Sequence, residues 1–200
     1  MLLMGYDHRF GSDRLTDIAD YQNCGNHVGL HVLRAEECLD TGEPISSSRI
    51  RRLLQNGSVE EANRLLGYSY SITGKVVHGN GIGRQFGFPT ANVQPPQNKL
   101  IPPAGVYSGV ATLDNDAADE QKKKLPCLIN IGTNPTVGNT ETSIEAHILG
   151  FEGTLYEQQL TLQFSQFIRN EQRFPSLDSL REQIQRDINA IEQLHQNHPV

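Results

Sequence analysis

The segment from Gly74 to Val93, GKVVHGNGIGRQFGFPTANV, gathers residue types that suit a phosphate group. Gly79, Gly81, Gly83 and Gly87 crowd around a single cation, Arg84. Glycines this dense let successive backbone N–H groups turn toward one point, where an anion can sit. A Pro-Thr-Ala-Asn turn follows and runs into a strand. Thr90 and Asn92 stand two positions apart, so an extended backbone presents a hydroxyl and an amide oxygen on one face. Such hard oxygen donors suit Mg²⁺ carried on a nucleotide phosphate. The usual phosphate motifs are missing: there is no G-x-x-x-x-G-K-[ST], and G-x-G-x-x-G fails where Phe86 follows Gly81-x-Gly83. Glycine-rich segments between strands are often plain turns. The residues alone leave both readings open.

Moving a phosphoryl group from ATP to an alcohol has three requirements. The phosphates must be positioned, their charge offset, and the attacking hydroxyl deprotonated. The glycine loop with Arg84 can meet the first, and Thr90 with Asn92 the second. The third needs a carboxylate or histidine facing the pocket. In the run Ser143 to Leu149, Ile144, Ala146 and Ile148 share one strand face and Ser143, Glu145 and His147 the other. Glu145 is the best candidate, although a glutamate on a polar strand face is ordinarily just solvated.

These groups need a scaffold, and residues 68–168 read as strand-rich. Tyr70–His78, Gly105–Leu113, Leu125–Ile131, Ser143–Phe151 and Leu155–Ile168 have strand patterns, with a polar tip over Asp114–Lys124. So many strands in so short a space predict a barrel. Leu177, Leu180, Ile184, Ile188 and Ile191 form one helical stripe to bury against it, with Ser176 as N-cap. Residues 1–67 read β-α-β-α-α, the grammar of a doubly wound sheet with too few strands. Ser58-Val-Glu-Glu61 has a capping-box pattern, and Gly67 is the expected stop of its helix. The expected division is an α/β remnant over 1–67 and a barrel domain over 68–195.

Composition narrows the function classes. A net charge of −6 over 200 residues argues against a nucleic-acid binder that relies on phosphate neutralisation. Hydrophobic content of 36% and charged content of 20% fit a soluble globular chain. No apolar run is long enough to span a bilayer, and the N-terminus lacks a signal-type core. Cys24, Cys38 and Cys127 form neither a zinc pattern nor a disulfide framework, which predicts reduced cysteines and a cytoplasmic location.

The motif HGNGIGRQFGFPTANV resembles the signature of the riboflavin kinase family, as found in bacterial riboflavin kinase/FAD synthetases. PPAGVYSG at Pro102–Gly109, NIGTNPTVG at Asn130–Gly138, SIEAHILGF at Ser143–Phe151 and a long run from Leu155 to Ile188 extend the likeness over residues 68–190. The resemblance implies a mainly β fold, a small Greek-key antiparallel barrel with a C-terminal helix. It also implies phosphorylation of riboflavin by ATP with Mg²⁺, giving FMN and ADP. Glu145 then takes the place of the base for the ribityl hydroxyl. Arg169 falls in a mobile loop that closes over flavin and nucleotide. Asn134, in the Gly132-Thr-Asn-Pro135 turn, lies near the nucleotide. Phe86, Phe88, Tyr107, Phe167 and Phe174 are possible walls for the flat, mostly apolar slot an isoalloxazine ring needs.

Gly5–Gly11 and Ile45-Ser-Ser-Ser-Arg-Ile-Arg51 are similar to the C-terminal half of the FMN adenylyltransferase domain, a partial α/β nucleotidyltransferase fragment of Rossmann-like type. That likeness puts Ser46, Ser47, Arg49 and Arg51 on ATP phosphates at a helix N-terminus. The plainer reading is a serine cap followed by a basic helix face. The H-x-G-H motif of such adenylyltransferases occurs nowhere in the chain and is expected upstream of Met1, so FAD synthesis is not the leading expectation. The alternatives are a bifunctional enzyme, which FAD formation would mark, and a non-catalytic flavin or nucleotide-binding module, which intact Thr90, Asn92 and Glu145 argue against. The expected partners are riboflavin, FMN, ATP and ADP, with neither nucleic acid nor membrane.

Overall fold

A strand apolar at every second position can bury one face by joining a sheet that closes on itself. The computed structural model describes residues 1–9, 11, 15, 17–79, 81–85, 87–113, 123–136 and 139–197, and its strands do close. Compact packing divides the chain into Met1–Ser46 and Ser47–Val200.

The first unit holds β1 (Leu2–Met4), α1 (Ile18–His27), β2 (Val32–Arg34), β3 (Leu39–Asp40) and β4 (Glu43–Pro44). Strands β1 and β2 pair in parallel with α1 between them in sequence, so the expected β-α-β order is present. Asp17 caps α1 by accepting from the Ala19 N–H at 3.0 Å. Met4, Tyr21 and Val32 form its small core, and β3 with β4 is a short hairpin.

The second unit begins with α2 (Ser47–Gln55) and α3 (Val59–Leu66). Then come β5 (Ser71–Val77), α4 (Ile82–Gln85), β6 (Ala91–Gln94), β7 (Gly105–Leu113), β8 (Lys123–Thr136), β9 (Asn139–Ile148), β10 (Gln159–Arg169) and α5 (Leu177–Asn197). Around the barrel the order is β10-β5-β6-β9-β8-β7, every pairing antiparallel. Consecutive β7, β8 and β9 form a meander, and β10 returns beside β7, which makes a Greek key. Two register shifts in β10, at Phe164/Gln166 and Phe167/Arg169, bend it along β7 and re-aim its last side chains. Ile72, Ile129, Ile144, Leu160, Leu162 and Phe164 fill the lumen.

Packing places the domain division earlier than the boundary read at Gly67. Leu54 of α2 and Val59 and Ala62 of α3 belong to the barrel core, with Ile50 and Leu53 against it. Asn63 stitches α3 to β10 and to the residue before β5, donating from Nδ2 to the Phe164 carbonyl at 2.8 Å and accepting from the Tyr70 N–H at 2.6 Å. Gly67 stops α3 in the left-handed conformation, as expected. The capping box does not form: Ser58 makes no side-chain cap, and Glu61 turns instead to Arg49 at 3.8 Å and Arg64 at 3.7 Å. Ser176 does cap α5, accepting from the Ser179 N–H at 3.2 Å. Ile191 and Ile188 are buried, whereas Leu177 at the head of the stripe is 60% exposed. Residues 114–122 of the polar tip lie outside the described residues.

Tyr107 is fully buried in the lumen, where its hydroxyl donates to the Pro103 carbonyl at 2.7 Å. Burial pushes its pKa from 10.0 up to about 12. A pKa raised on folding means that stability is complete below the unfolded value and is lost as pH rises through the folded one. Denaturant titrations between pH 8 and 12 are therefore expected to show a steeper alkaline loss for the natural chain than for Tyr107→Phe. Parallel losses would remove Tyr107 from the cause.

Candidate active site

Strand register assembles the site. Asn92 on β6 faces Glu145 on β9, Glu145 faces Asn130 on β8, and Asn130 faces Val106 on β7. Their chain neighbours Val93, Ala146 and Ile129 point into the core, so this row lies on the outer wall. Just before β6, Thr90 donates its hydroxyl to Glu145 Oε2 at 3.2 Å. The next outward residue of β9, His147, donates from Nδ1 to the Pro89 carbonyl at 2.8 Å. Its ring meets Phe88 edge-on, with centroids 5.6 Å apart. Two neighbouring β9 side chains thus grip the Pro-Thr corner and hold its hydroxyl against the carboxylate.

The glycine segment is tighter than an open loop, because α4 forms one turn in its middle. The Phe88 N–H closes onto the Gly83 carbonyl at 2.9 Å. A Cβ on Gly83 would run into the Phe88 carbonyl oxygen, and a Cβ on Gly79 would overlap the Asn92 amide. Gly79 therefore makes room for Asn92. Gly81 enters the turn at φ 67°, a conformation that favours glycine. Arg84 is exposed on α4. His78 precedes this segment and stacks on Tyr156 with ring centroids 4.0 Å apart.

Three cavities meet at this wall. One of about 370 Å³ is lined by Val106, Leu128, Phe174, Leu180 and Ile184, with Thr90, Asn130, Glu145, Arg169 and Glu171 among its polar members. A second of about 260 Å³ is lined by Val76, Arg84, Thr90, Phe151, Leu155 and Tyr156. A third of about 550 Å³ reaches Gly79, Asn92, Lys99, Ser143 and Glu145. Thr90 borders the first two and Glu145 the first and third. The Leu155–Gln158 turn beside the second cavity is tied to β5 by Lys75 Nζ and Glu157 Oε2 at 2.5 Å. The hydrogen bond to Lys75, and then its charge, hold the Glu157 carboxyl below its usual pKa.

Thr90, Asn92 and Glu145 converge as the sequence suggested; other site residues fall differently. Arg169 is not on a loop. It ends β10, and its guanidinium is bound by the Asp187 carboxylate of α5, with Nη2 to Oδ2 at 2.7 Å and Nε to Oδ2 at 3.0 Å. The second bulge of β10 turns it toward that helix. Asn134 lies within β8, paired with Glu141, because β8 runs on to Thr136 instead of turning at Gly132. Ser47, Arg49 and Arg51 lie on α2, whose apolar face joins the barrel core. Ser46 precedes that helix. Ser47 and Arg51 line a pocket of about 310 Å³ with Tyr68, Tyr70 and Lys99. Of the possible ring walls, Phe88 and Phe174 line the 370 Å³ cavity. Tyr107 and Phe167 belong to the core packing, and Phe86 lies outside the described residues.

Sequence reasoning missed Asn130, Glu171 and Asp187. Asn130 opens NIGTNPTVG, and its outward parity was legible from Ile129 and Ile131. Asp187 was visible as an acid beside the apolar stripe, between Ile184 and Ile188. Leu180 and Ile184 were read as packing and also wall the cavity.

Thr90 Oγ1 and Asn92 Oδ1 fit the donor chemistry of a hard cation. The described residues contain no cluster of three His, Cys, Asp or Glu able to hold a metal ion. A cation here would arrive with phosphate oxygens as its other ligands.

Fold and site place the chain among small antiparallel barrels that carry a glycine-rich cradle beside a wall carboxylate. A family model described as Flavokinase, riboflavin kinase, matches residues 66–195, and the chain belongs to that family. It is 38% identical over 186 residues to the bifunctional riboflavin kinase/FMN adenylyltransferase of Escherichia coli (strain K12), covering 93% of this chain and 57% of that protein. The Pseudomonas fluorescens enzyme of the same description is 38% identical over 194 residues, covering 96% of this chain and 60% of that protein. A crystal structure described as a macrolide-efflux protein from Streptococcus pneumoniae superposes with TM-score 0.81 at 31% identity, covering 94% of this chain and 58% of that one. The chain thus spans less than two thirds of the length of each of these relatives. No helix among the described residues is long and apolar enough to cross a membrane.

Proposed function

We propose that this chain phosphorylates riboflavin, transferring the γ-phosphoryl group of ATP to the ribityl 5′-hydroxyl to give FMN and ADP. The observation that carries this reading is the contact of Thr90 with Glu145 where the cavities meet. The apolar cavity under α5 suits the flavin ring. The cavity beside Arg84 suits the nucleotide, with its phosphates passing over Thr90 toward Glu145. Arg84, Gly79, Gly81, Gly83 and the Thr90 and Asn92 oxygens hold the phosphates and their cation. Mg²⁺, when bound, supplies charge neutralisation on the β- and γ-phosphates. A threonine hydroxyl has spare lone pairs while its proton points at Glu145, so both contacts are compatible. Glu145 accepts the hydroxyl proton as the O–P bond forms and the bond to the ADP oxygen breaks.

Asn134 is assigned a place near the nucleotide on the family likeness alone. Arg169 is assigned to the flavin cavity as a support fixed by Asp187. The kinase domain is taken as 68–195 and the adenylyltransferase remnant as 1–67, with α2 and α3 docked on the barrel. The cytoplasm, where free thiols persist, is the proposed location.

Chromatography of the purified chain with riboflavin, ATP and Mg²⁺ tests the reading. FMN alone is expected. FAD as well would establish the second reading, the bifunctional activity by which the relatives are described, with Ser46, Ser47, Arg49 and Arg51 as candidates for its phosphate contacts. Bound riboflavin with neither product would point to a binding module. Thr90→Val is expected to raise the KM for Mg-ATP by about tenfold, with riboflavin affinity little changed. The reverse pattern in titrations would place Thr90 outside the nucleotide site.

A further inference from the structure

Flavin ring and nucleotide fill two of the three cavities at the wall and leave the cleft of about 550 Å³. Among its described lining residues, Lys99 and Glu145 are the two with a formal charge, and they form no ion pair with each other. Lys99 is half-buried. Its ammonium rests over the Tyr70 ring, 4.3 Å from the centroid, and meets no carboxylate among the described residues. Acids outnumber Lys and Arg 23 to 17 in this chain, so the missing partner is not for want of carboxylates. Two contacts fix the ground it stands on: the Lys99 N–H donates to the Pro96 carbonyl at 3.1 Å, and the Tyr70 hydroxyl donates to the Leu100 carbonyl at 2.6 Å. Burial lowers the pKa of the ammonium from its ordinary value, and an anion beside it would relieve that strain on the charge. We infer that Lys99 is the cation of a phosphate site in this cleft, facing the phosphoryl group that arrives at Glu145; the inference rests on the riboflavin kinase reading and extends it.

The charges of the cleft suit this use. Before transfer, Lys99 and Glu145 offset each other. Once Glu145 takes the hydroxyl proton its charge is gone, and Lys99 stands as the uncompensated charge while the phosphate ester forms beside it. The other cations of the wall are placed differently. Arg169 is bound by Asp187, and Arg84 lines the cavity on the nucleotide side. An ammonium has three donors and no acceptor to repel an anion. Its four-carbon stem is flexible enough to turn from the Tyr70 ring into the cleft. Asn92 and Ser143 line the same cleft and add an amide and a hydroxyl as neutral donors. The phosphate belongs either to the new FMN ester or to the end of the nucleotide, and both present the same charge and acceptors to Lys99.

Riboflavin and FMN differ by the phosphate alone, so fluorescence titrations with the two isolate its contribution. Lys99→Met removes the charge and keeps an apolar stem on the Tyr70 ring, and Lys99→Arg keeps the charge; the position is a partly exposed turn, so both variants should fold. In Lys99→Met, FMN affinity is expected to fall about 10-fold, the lower end for a hydrogen bond to a charged group, with riboflavin affinity unchanged. Lys99→Arg is expected to stay within about threefold of the natural chain. A parallel titration with Mg²⁺ and a non-hydrolysable ATP analogue separates the two sources. A loss for FMN, alone or with the analogue, places the ester phosphate at Lys99. A loss for the analogue with FMN unchanged places the terminal phosphate of the nucleotide there. Equal losses for riboflavin and FMN overturn the site, and so does a Lys99→Met chain that binds FMN and the analogue as the natural chain does. FMN formation by the natural chain is the control: its absence would remove the kinase reading and this site with it, whereas unchanged affinities in an active chain remove the site alone.

Discussion

Glu145→Gln is expected to lower kcat for FMN formation by about 10²- to 10⁴-fold, the range of a lost general base. The substitution is close to isosteric, and its amide oxygen can still accept the Thr90 hydroxyl, so the Pro-Thr corner stays in place. Proton acceptance is what disappears. A loose phosphoryl-transfer transition state asks less of the base than of positioning, which favours the lower end of that range. Riboflavin and ATP should still bind, since flavin ring contacts and phosphate contacts come from other residues. Single-turnover rates with flavin fluorescence titrations separate the two effects. Unchanged turnover in a variant that binds both substrates would take Glu145 out of the base role.

The second large effect concerns stability and has a direction that the burial sets. The Asp187 side chain is 4% exposed and that of Arg169 is 20% exposed, with Gln183 Nε2 also donating to Asp187 at 2.8 Å. Removing one partner of a buried pair strands the other's charge, at about 3–5 kcal/mol when burial is complete. Arg169→Ala strands the more buried group and is expected to approach that range. Asp187→Ala leaves a guanidinium nearer water, with the Asn170 carbonyl still accepting at 3.1 Å, and should cost less. Either change loosens α5 beside the cavity proposed for the flavin ring, so riboflavin KM should rise in both. Denaturant melts of the two variants give the order; Asp187→Ala as the costlier change would contradict this account.

The barrel and the convergence of Thr90, Asn92 and Glu145 were legible because each follows from local parity. Ile144, Ala146 and Ile148 point one way, so Glu145 must point the other. What was not legible depends on long-range pairing. Arg169 reads as a loop cation until the β10 bulges and the α5 packing deliver Asp187 to it. Asn134 reads as a turn residue because Asn and Pro favour turns, yet the β8–β9 pairing runs past it. The Ser58 box has the right letters, but Arg49 and Arg64 claim Glu61.

β10 pairs with both β5 and β7, and the Thr73–Thr161 hydroxyl contact on its first seam joins positions separated by 88 residues. Thr90 and Glu145 are brought together across 55 residues by the same closed sheet. Contacts this distant pay loop-closure entropy before any native pairing rewards it, which makes folding slow compared with helical chains of similar size. Without β10, which lies between β5 and β7, the sheet β5-β6-β9-β8-β7 that carries Thr90 and Glu145 is open and its lumen face uncovered. The site row itself depends on the β6–β9 and β8–β9 pairings, whereas the cavity beside it also needs Arg169 of β10. A chain that has paired those strands without β10 would hold Thr90 against Glu145 and lack the cavity wall that Arg169 supplies, so regain of turnover would report barrel closure and not the meeting of these two side chains.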